Sequence, residues 1–189
     1  HSYSSIWSFY VTAVAGWTPF LIGLSISVYG FGIAGVQGGL TGPAIAKFGE
    51  VRAVFFALTV GIMSFTILGF AQSGTHIYIA IVIGAFAGFL SPARQALMTQ
   101  RTPAEAQGEL QGAITSLYSL ASIVSPAVMA LIFTAQTDEV GPYLPGAPFF
   151  LAAALTLTAM AIFAIAAKRL GNEPLPADQA SEVVADEFD

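Results

Sequence analysis

The sequence predicts an all-α protein that threads a membrane several times. Three observations carry that reading. Hydrophobic residues fill 56% of the 189 positions and charged residues only 9%, against roughly 25% charged in soluble domains. The apolar residues gather in runs near the length of about 20 residues that a helix needs to cross hydrocarbon. All six Lys and Arg residues fall at the end of the first, third or fifth of those runs, the one-sided pattern of a cytoplasmic face.

The elements follow in order. His1–Tyr10 is apolar and aromatic but too short to span. It is either an interfacial segment, with Tyr3, Trp7 and Tyr10 at headgroup level, or the end of a helix whose start is missing. Val11–Thr18 reads as a short connection. The first full span, about 19–40, is uncharged and rich in Gly, with small-xxx-small pairs at Gly35/Gly39 and Gly38/Gly42 that predict close packing on a neighbouring helix. Thr41–Arg52 reads as a turn carrying Lys47 and Arg52, and 53–72 as the second span. Ser73–His76 is a short turn without Lys or Arg, and 77–100 is the third span, interrupted late by Pro92 and Arg94. Thr102-Pro103-Ala104-Glu105 has the pattern of a capping box with Pro at the first helical position. It should open a fourth span, 103–135, whose first two turns stand in water and whose Pro126 kinks it. Gln136–Pro148 is a polar turn with Asp138 and Glu139. The fifth span, 149–167, closes on Lys168-Arg169. Residues 1–170 therefore form one helical bundle, and 171–189 an acidic tail with too little apolar surface to fold.

The net charge of −5 belongs to that tail. Glu173, Asp178, Glu182, Asp186, Glu187 and Asp189 lie there, and the body is nearly balanced. With no Cys, disulfides and thiolate metal sites are excluded. His1 and His76 have no partner at metal-ligand spacing, so no metal or cofactor is expected. No nucleophile elbow, phosphate loop or pair of buried carboxylates is present, which argues against an enzyme, and no basic stripe points to nucleic acid. The chain starts without Met or a positively charged leader, as a processed chain or a fragment would.

Arg94 is the one ionisable group placed at depth. It lies seven residues before Arg101, about 10 Å along a helix. Such a charge either faces a cavity and marks a pathway or snorkels to the headgroups along its long stem. Gln37, Gln95, Tyr29 and Tyr118 are polar-capable groups inside apolar spans, each facing a cavity or bonding a neighbouring helix.

Several stretches carry a family resemblance. Pro92-Ala93-Arg94-Gln95-Ala96, then Gln107-Gly108-Glu109-Leu110-Gln111-Gly112, then Ser116-Leu117 and Ser125-Pro126 resemble the tenth and eleventh helices, and the loop between them, of the tetracycline-resistance efflux-like branch of drug–proton antiporters in the major facilitator superfamily. Gly42, Lys47 and Gly49, with Arg52 beyond them, resemble the second-half copy of that superfamily's cytoplasmic loop motif. There Ala46 replaces the acid and Glu50 a basic residue. Some tetracycline antiporters hold a His in helix eight and an acid in helix nine; Ile33 and Gly61 stand at those positions here.

The resemblance covers about residues 7–170. It implies the C-terminal six-helix half of a transporter bundle, its first helix partial at 1–10, and a partner N-terminal half that is missing. It also implies a plasma-membrane protein with a cytoplasmic C-terminus. The function it implies is proton-coupled efflux of a small amphipathic compound such as a drug. The alternatives are a membrane scaffold or receptor that transports nothing, and a small self-contained transporter acting as a dimer.

Overall fold

The computed structural model describes residues 2–137 and 143–170. Among them every regular element is helical: α1 (Ser2–Ala15), α2 (Pro19–Gly35), α3 (Thr41–Phe48), α4 (Glu50–Phe70), α5 (Gly74–Ala85), α6 (Leu90–Gln100), α7 (Gln107–Ala135) and α8 (Ala147–Leu170). A π-helical turn at Val36–Leu40 joins α2 to α3. Tight 3-10 turns at Phe86–Phe89 and Ala104–Ala106 join α5 to α6 and lead into α7. Counting those turns, five stretches are long and apolar enough to cross a bilayer: Pro19–Phe48, Glu50–Phe70, Gly74–Gln100, Ala104–Ala135 and Ala147–Arg169. The chain is an all-α, polytopic membrane protein. Asp138, Glu139 and the acidic tail lie outside the described residues, as does the side chain of Tyr3.

The first helix is longer than the segment read from the sequence. It continues past Tyr10 to Ala15 and stops at Gly16, whose φ of 62° is a left-handed value open to glycine. Trp7 and Tyr10 are 1% and 0% exposed. Trp7 Nε1 donates to Ser25 Oγ at 3.0 Å, and the Ser25 hydroxyl donates to the Ile22 carbonyl at 2.7 Å. The Tyr10 hydroxyl donates to the Leu68 carbonyl, and its ring meets Phe149 edge-on at 4.5 Å. With Leu68, Ile77, Ile81 and Met129 these side chains form the largest apolar core. Both aromatic polar atoms are therefore bonded inside the bundle, where hydrocarbon offers no water to satisfy them.

Two expectations fail between α2 and α4. Thr41–Arg52 is not a turn: α3 occupies Thr41–Phe48, and the break is Gly49 alone, at φ 80°. Pro43 lacks the N–H that would donate back one turn, and the chain reaches it through a π-helical turn instead of an α-helix. There the Thr41 hydroxyl donates to the Val36 carbonyl at 3.0 Å. Nor do Gly35, Gly38, Gly39 and Gly42 make the expected close contacts. A Cβ built on any of them meets nothing within 4 Å. Close approach comes at Gly32, where a Cβ would lie 2.8 Å from Cβ of Ala85 on α5.

The capping box before α7 is absent as well. The Thr102 hydroxyl donates backward to the Met98 carbonyl at 2.9 Å, closing α6 and not opening α7. The helix starts at Gln107 after the 3-10 turn, with no side-chain cap. It packs chiefly on α1 and α8 and stays helical through Pro126. Along it the hydroxyls of Thr115, Ser116, Ser119 and Ser122 each donate to a carbonyl of α7 itself, at 2.8 to 3.0 Å.

Packing places the basic residues at one end of the bundle. Gln100 Nε2 donates to Glu50 Oε1 at 2.9 Å, tying the end of α6 to the start of α4. Ala53, Val54, Leu58 and Ala93 share a core with Met160 and Phe163, and Phe55 meets Phe163 at 5.1 Å. Lys47, Arg52, Arg101, Lys168 and Arg169 therefore lie at a common rim, with Arg94 further in.

Replacing Gly32 by Leu forces a side chain into the α2–α5 contact. The expected cost is about 1–3 kcal/mol, read as a lower melting temperature in detergent, whereas Gly38→Leu should leave the melt unchanged. Equal losses at both positions would show that the Gly32–Ala85 contact does not set the helix spacing.

Candidate substrate cavity

The two interrupted helices meet at their interruptions. Pro92 in α6 has no N–H, so the Gly88 carbonyl four residues earlier loses its α-helical donor. Gln37, on the π-helical turn, supplies one: its Nε2 donates to Gly88 O at 3.1 Å. The expected disturbance at Pro92 is present as the 3-10 turn just before α6. The turns also share a small core of Val36, Ala57 and Phe89. Irregular backbone at membrane depth is tolerated where protein groups satisfy it.

Beside this junction lies a cavity of about 460 Å³, bounded by α2, α4, α5 and α6, with Tyr118 of α7 and Thr156 of α8 completing the wall. It brings together Tyr29, Gln37, Arg94 and Tyr118. Gln95 is half-buried and absent from the lining. Ile33 and Gly61 line the same space, so an apolar side chain and a bare glycine stand where the resemblance places a His and an acid. A larger cavity of about 630 Å³ at the charged end is walled by Phe48, Phe56, Phe86 and Phe89 with Lys47 and Arg52. It gathers none of the polar groups of the spans. A site that orients a ligand needs a few convergent polar groups on an apolar wall, and of these two cavities the smaller gathers Tyr29, Gln37, Ser64, Arg94 and Tyr118.

Arg94 dominates its electrostatics. Its Nε is buried and has no hydrogen-bond partner. Its Cζ stands 5.2 Å from the centroid of the Tyr118 ring, within cation–π range. An Arg at bilayer depth costs about 2.5–3.5 kcal/mol even by the lenient insertion scales. One ring face offsets only part of that, worth about 0.5–2 kcal/mol.

Two lining residues were invisible as site residues in the sequence. Ser64 is 7% exposed, and its hydroxyl donates to Ala80 O at 2.8 Å. A Cβ on the facing Gly84 would lie 2.7 Å from that oxygen. The pairing joins α4 to α5 across twenty residues, and no spacing within one helix signals it. Thr156 bonds back to Ala152 O at 2.7 Å and reaches the cavity only because α8 packs on α4. Of the loop residues, Gly49 has a geometric reason, its positive φ, and Lys47 lies 5.4 Å from the Phe48 ring centroid. Gln107 and Gln111 begin α7, and a Cβ on Gly108 or Gly112 meets nothing within 4 Å. Nothing in the structure explains those two glycines.

The profile of the Major Facilitator Superfamily matches residues 2–185. The chain is 33% identical over 122 residues to the class C tetracycline resistance protein of Escherichia coli, covering 65% of this chain and 31% of that protein. It is 30% identical over 132 residues to the class G protein of Vibrio anguillarum, covering 70% and 34%. The class B protein of Escherichia coli is 26% identical over 130 residues, covering 69% and 32%. The chain thus spans about a third of the length of the curated relatives it matches. No solved structure matches it.

The Gln37–Gly88 bond gives a direct test. Gln37→Leu leaves a carbonyl without its donor and should cost about 1 kcal/mol, the scale of an interhelical hydrogen bond in a membrane protein. Thermal unfolding in detergent reads this as a lower midpoint. An unchanged midpoint would mean that Gly88 is satisfied without Gln37.

Proposed function

Because the chain belongs to the major facilitator superfamily, we propose that it forms the C-terminal half of a secondary-active exporter. The exporter expels a small amphipathic compound, such as tetracycline or another drug, in exchange for protons. The observation that carries this reading is the cavity itself. Tyr29, Gln37, Arg94 and Tyr118 come from four different stretches of sequence and converge on one space of ligand size, beside two helices broken at matching depth. Discontinuous helices at a midplane site are how transporters of this kind expose backbone and side-chain polarity to a substrate. The likeness to tetracycline resistance proteins supports the efflux direction and the drug-like cargo.

A second set of six helices closes the other wall of the pathway and rocks against this one. No acid lines the described cavity, so the carboxylate that carries the coupling proton belongs to that other set. The bundle sits in the inner membrane with its basic rim and C-terminus in the cytoplasm, the orientation that the Lys/Arg asymmetry favours. The loop residues Gly42, Lys47, Gly49 and Arg52 then lie at the cytoplasmic gate.

Two measurements check the reading. Cells expressing the full-length protein should accumulate less drug than empty cells, and the difference should vanish when a protonophore collapses the gradient. Equal accumulation across a broad drug panel removes the efflux reading. The absence of native Cys makes single-Cys labelling simple. In intact cells a membrane-impermeant maleimide should label Thr75→Cys and spare Lys47→Cys. The reverse pattern would invert the bundle.

A further inference from the structure

The cavity holds a cation without a counter-charge. Arg94 is the charged side chain in its lining, and no Asp or Glu accompanies it among the described residues. From this we infer, building on the exporter reading above, that the cavity selects compounds whose apolar body carries a localised negative charge such as a carboxylate, and that Arg94 binds that charge.

The geometry favours an anion over other cargo. The guanidinium is a planar fork whose Nε–H and Nη–H edges match the two oxygens of a carboxylate. Nε, one tine of that fork, is buried and makes no hydrogen bond. The Tyr118 ring at 5.2 Å stabilises the cation through its π face, but a π face takes no bidentate hydrogen bond. Nε itself is closed off, but Arg94 lines the cavity, so its guanidinium is the positive charge that an entering group meets. Gln37 commits its Nε2 to Gly88 O, so its amide oxygen is the part that can face the ligand, as an acceptor for a hydroxyl on it. Around these groups the wall is mostly apolar, with Ile33, Leu58, Phe65 and Ile81. An apolar body fits such a wall.

Charge also sets what is refused. A cationic compound would meet the same guanidinium with no carboxylate among the described lining residues to offset it, in a medium where charges are weakly screened. The positions that would hold an ionisable pair by resemblance are Ile33 and Gly61, and neither titrates. The discrimination therefore rests on Arg94.

Binding to the purified full-length protein in detergent tests this by calorimetry with three probes of one shape: anthracene-9-carboxylate, its neutral carboxamide, and the anthracen-9-ylmethylammonium cation. The carboxylate should bind at least about tenfold tighter than either analogue, since a charge-assisted hydrogen bond is worth that factor or more. Arg94→Gln should bring the carboxylate-to-carboxamide ratio close to one, and Arg94→Lys should keep part of the preference. Equal binding of all three probes by the unaltered protein overturns the inference, and so does failure to bind any of them. It is also overturned if Arg94→Gln melts as the unaltered protein does yet keeps the carboxylate preference, for the charge is then bound elsewhere in the full-length protein. Drug efflux without anion preference sinks this inference and leaves the exporter reading standing. Absence of efflux sinks the exporter reading first.

Discussion

Hydrocarbon offers a broken helix no water, and the rest of this architecture depends on how that constraint is met at one point. Pro92 removes the donor that Gly88 would have used, and a glutamine fifty-one positions earlier replaces it. Because the replacement comes from another helix, two interruptions that would each be costly alone are stabilised together. The π-helical turn carries Gln37 outward from α2, and the 3-10 turn presents the Gly88 carbonyl to it. The cavity follows from this arrangement, since backbones that depart from regular geometry leave space that regular ridges and grooves would fill.

Much of the fold was legible in the sequence because the signals that matter in a membrane are coarse. Length, apolarity and the alternation of basic and neutral turns do not depend on which side chain touches which. The failures were local, and each has a physical cause. Thr41–Phe48 contains Gly, Pro and Lys and reads as a turn, yet a π-helical turn ahead of Pro43 lets the helix continue. The small-xxx-small pairs were sound as chemistry and misplaced in space: contact occurs at Gly32, and only the rotation of α2 against α5 decides that. Thr102 has two neighbours able to use its hydroxyl, and the carbonyl of α6 holds it instead of the amides of α7.

For the cavity, residue type was a better guide than motif. Polar-capable side chains in apolar spans must go somewhere, and Tyr29, Gln37, Arg94 and Tyr118 converge on the cavity. Gln95 stands apart for a geometric reason. It follows Arg94 by one residue, which turns it about 100° around α6 and away from the wall. Ser64 escaped notice because its partner, Gly84, carries no side chain. The place of Arg94 needed three dimensions: α2, α5 and α8 carry no acid in sequence, but only the structure shows that Glu50 of α4 bonds Gln100 and is absent from the cavity lining.

The hydroxyls along α7 carry a last consequence. Thr115, Ser116, Ser119 and Ser122 each find an acceptor within their own helix, so none must be stripped of a water partner when lipid or protein covers that flank. Such a surface is amphibious. It can be wetted in one phase of a cycle and dry in the next with little change in hydrogen bonding, a property suited to a helix that borders a passage opening by turns to either side of a membrane.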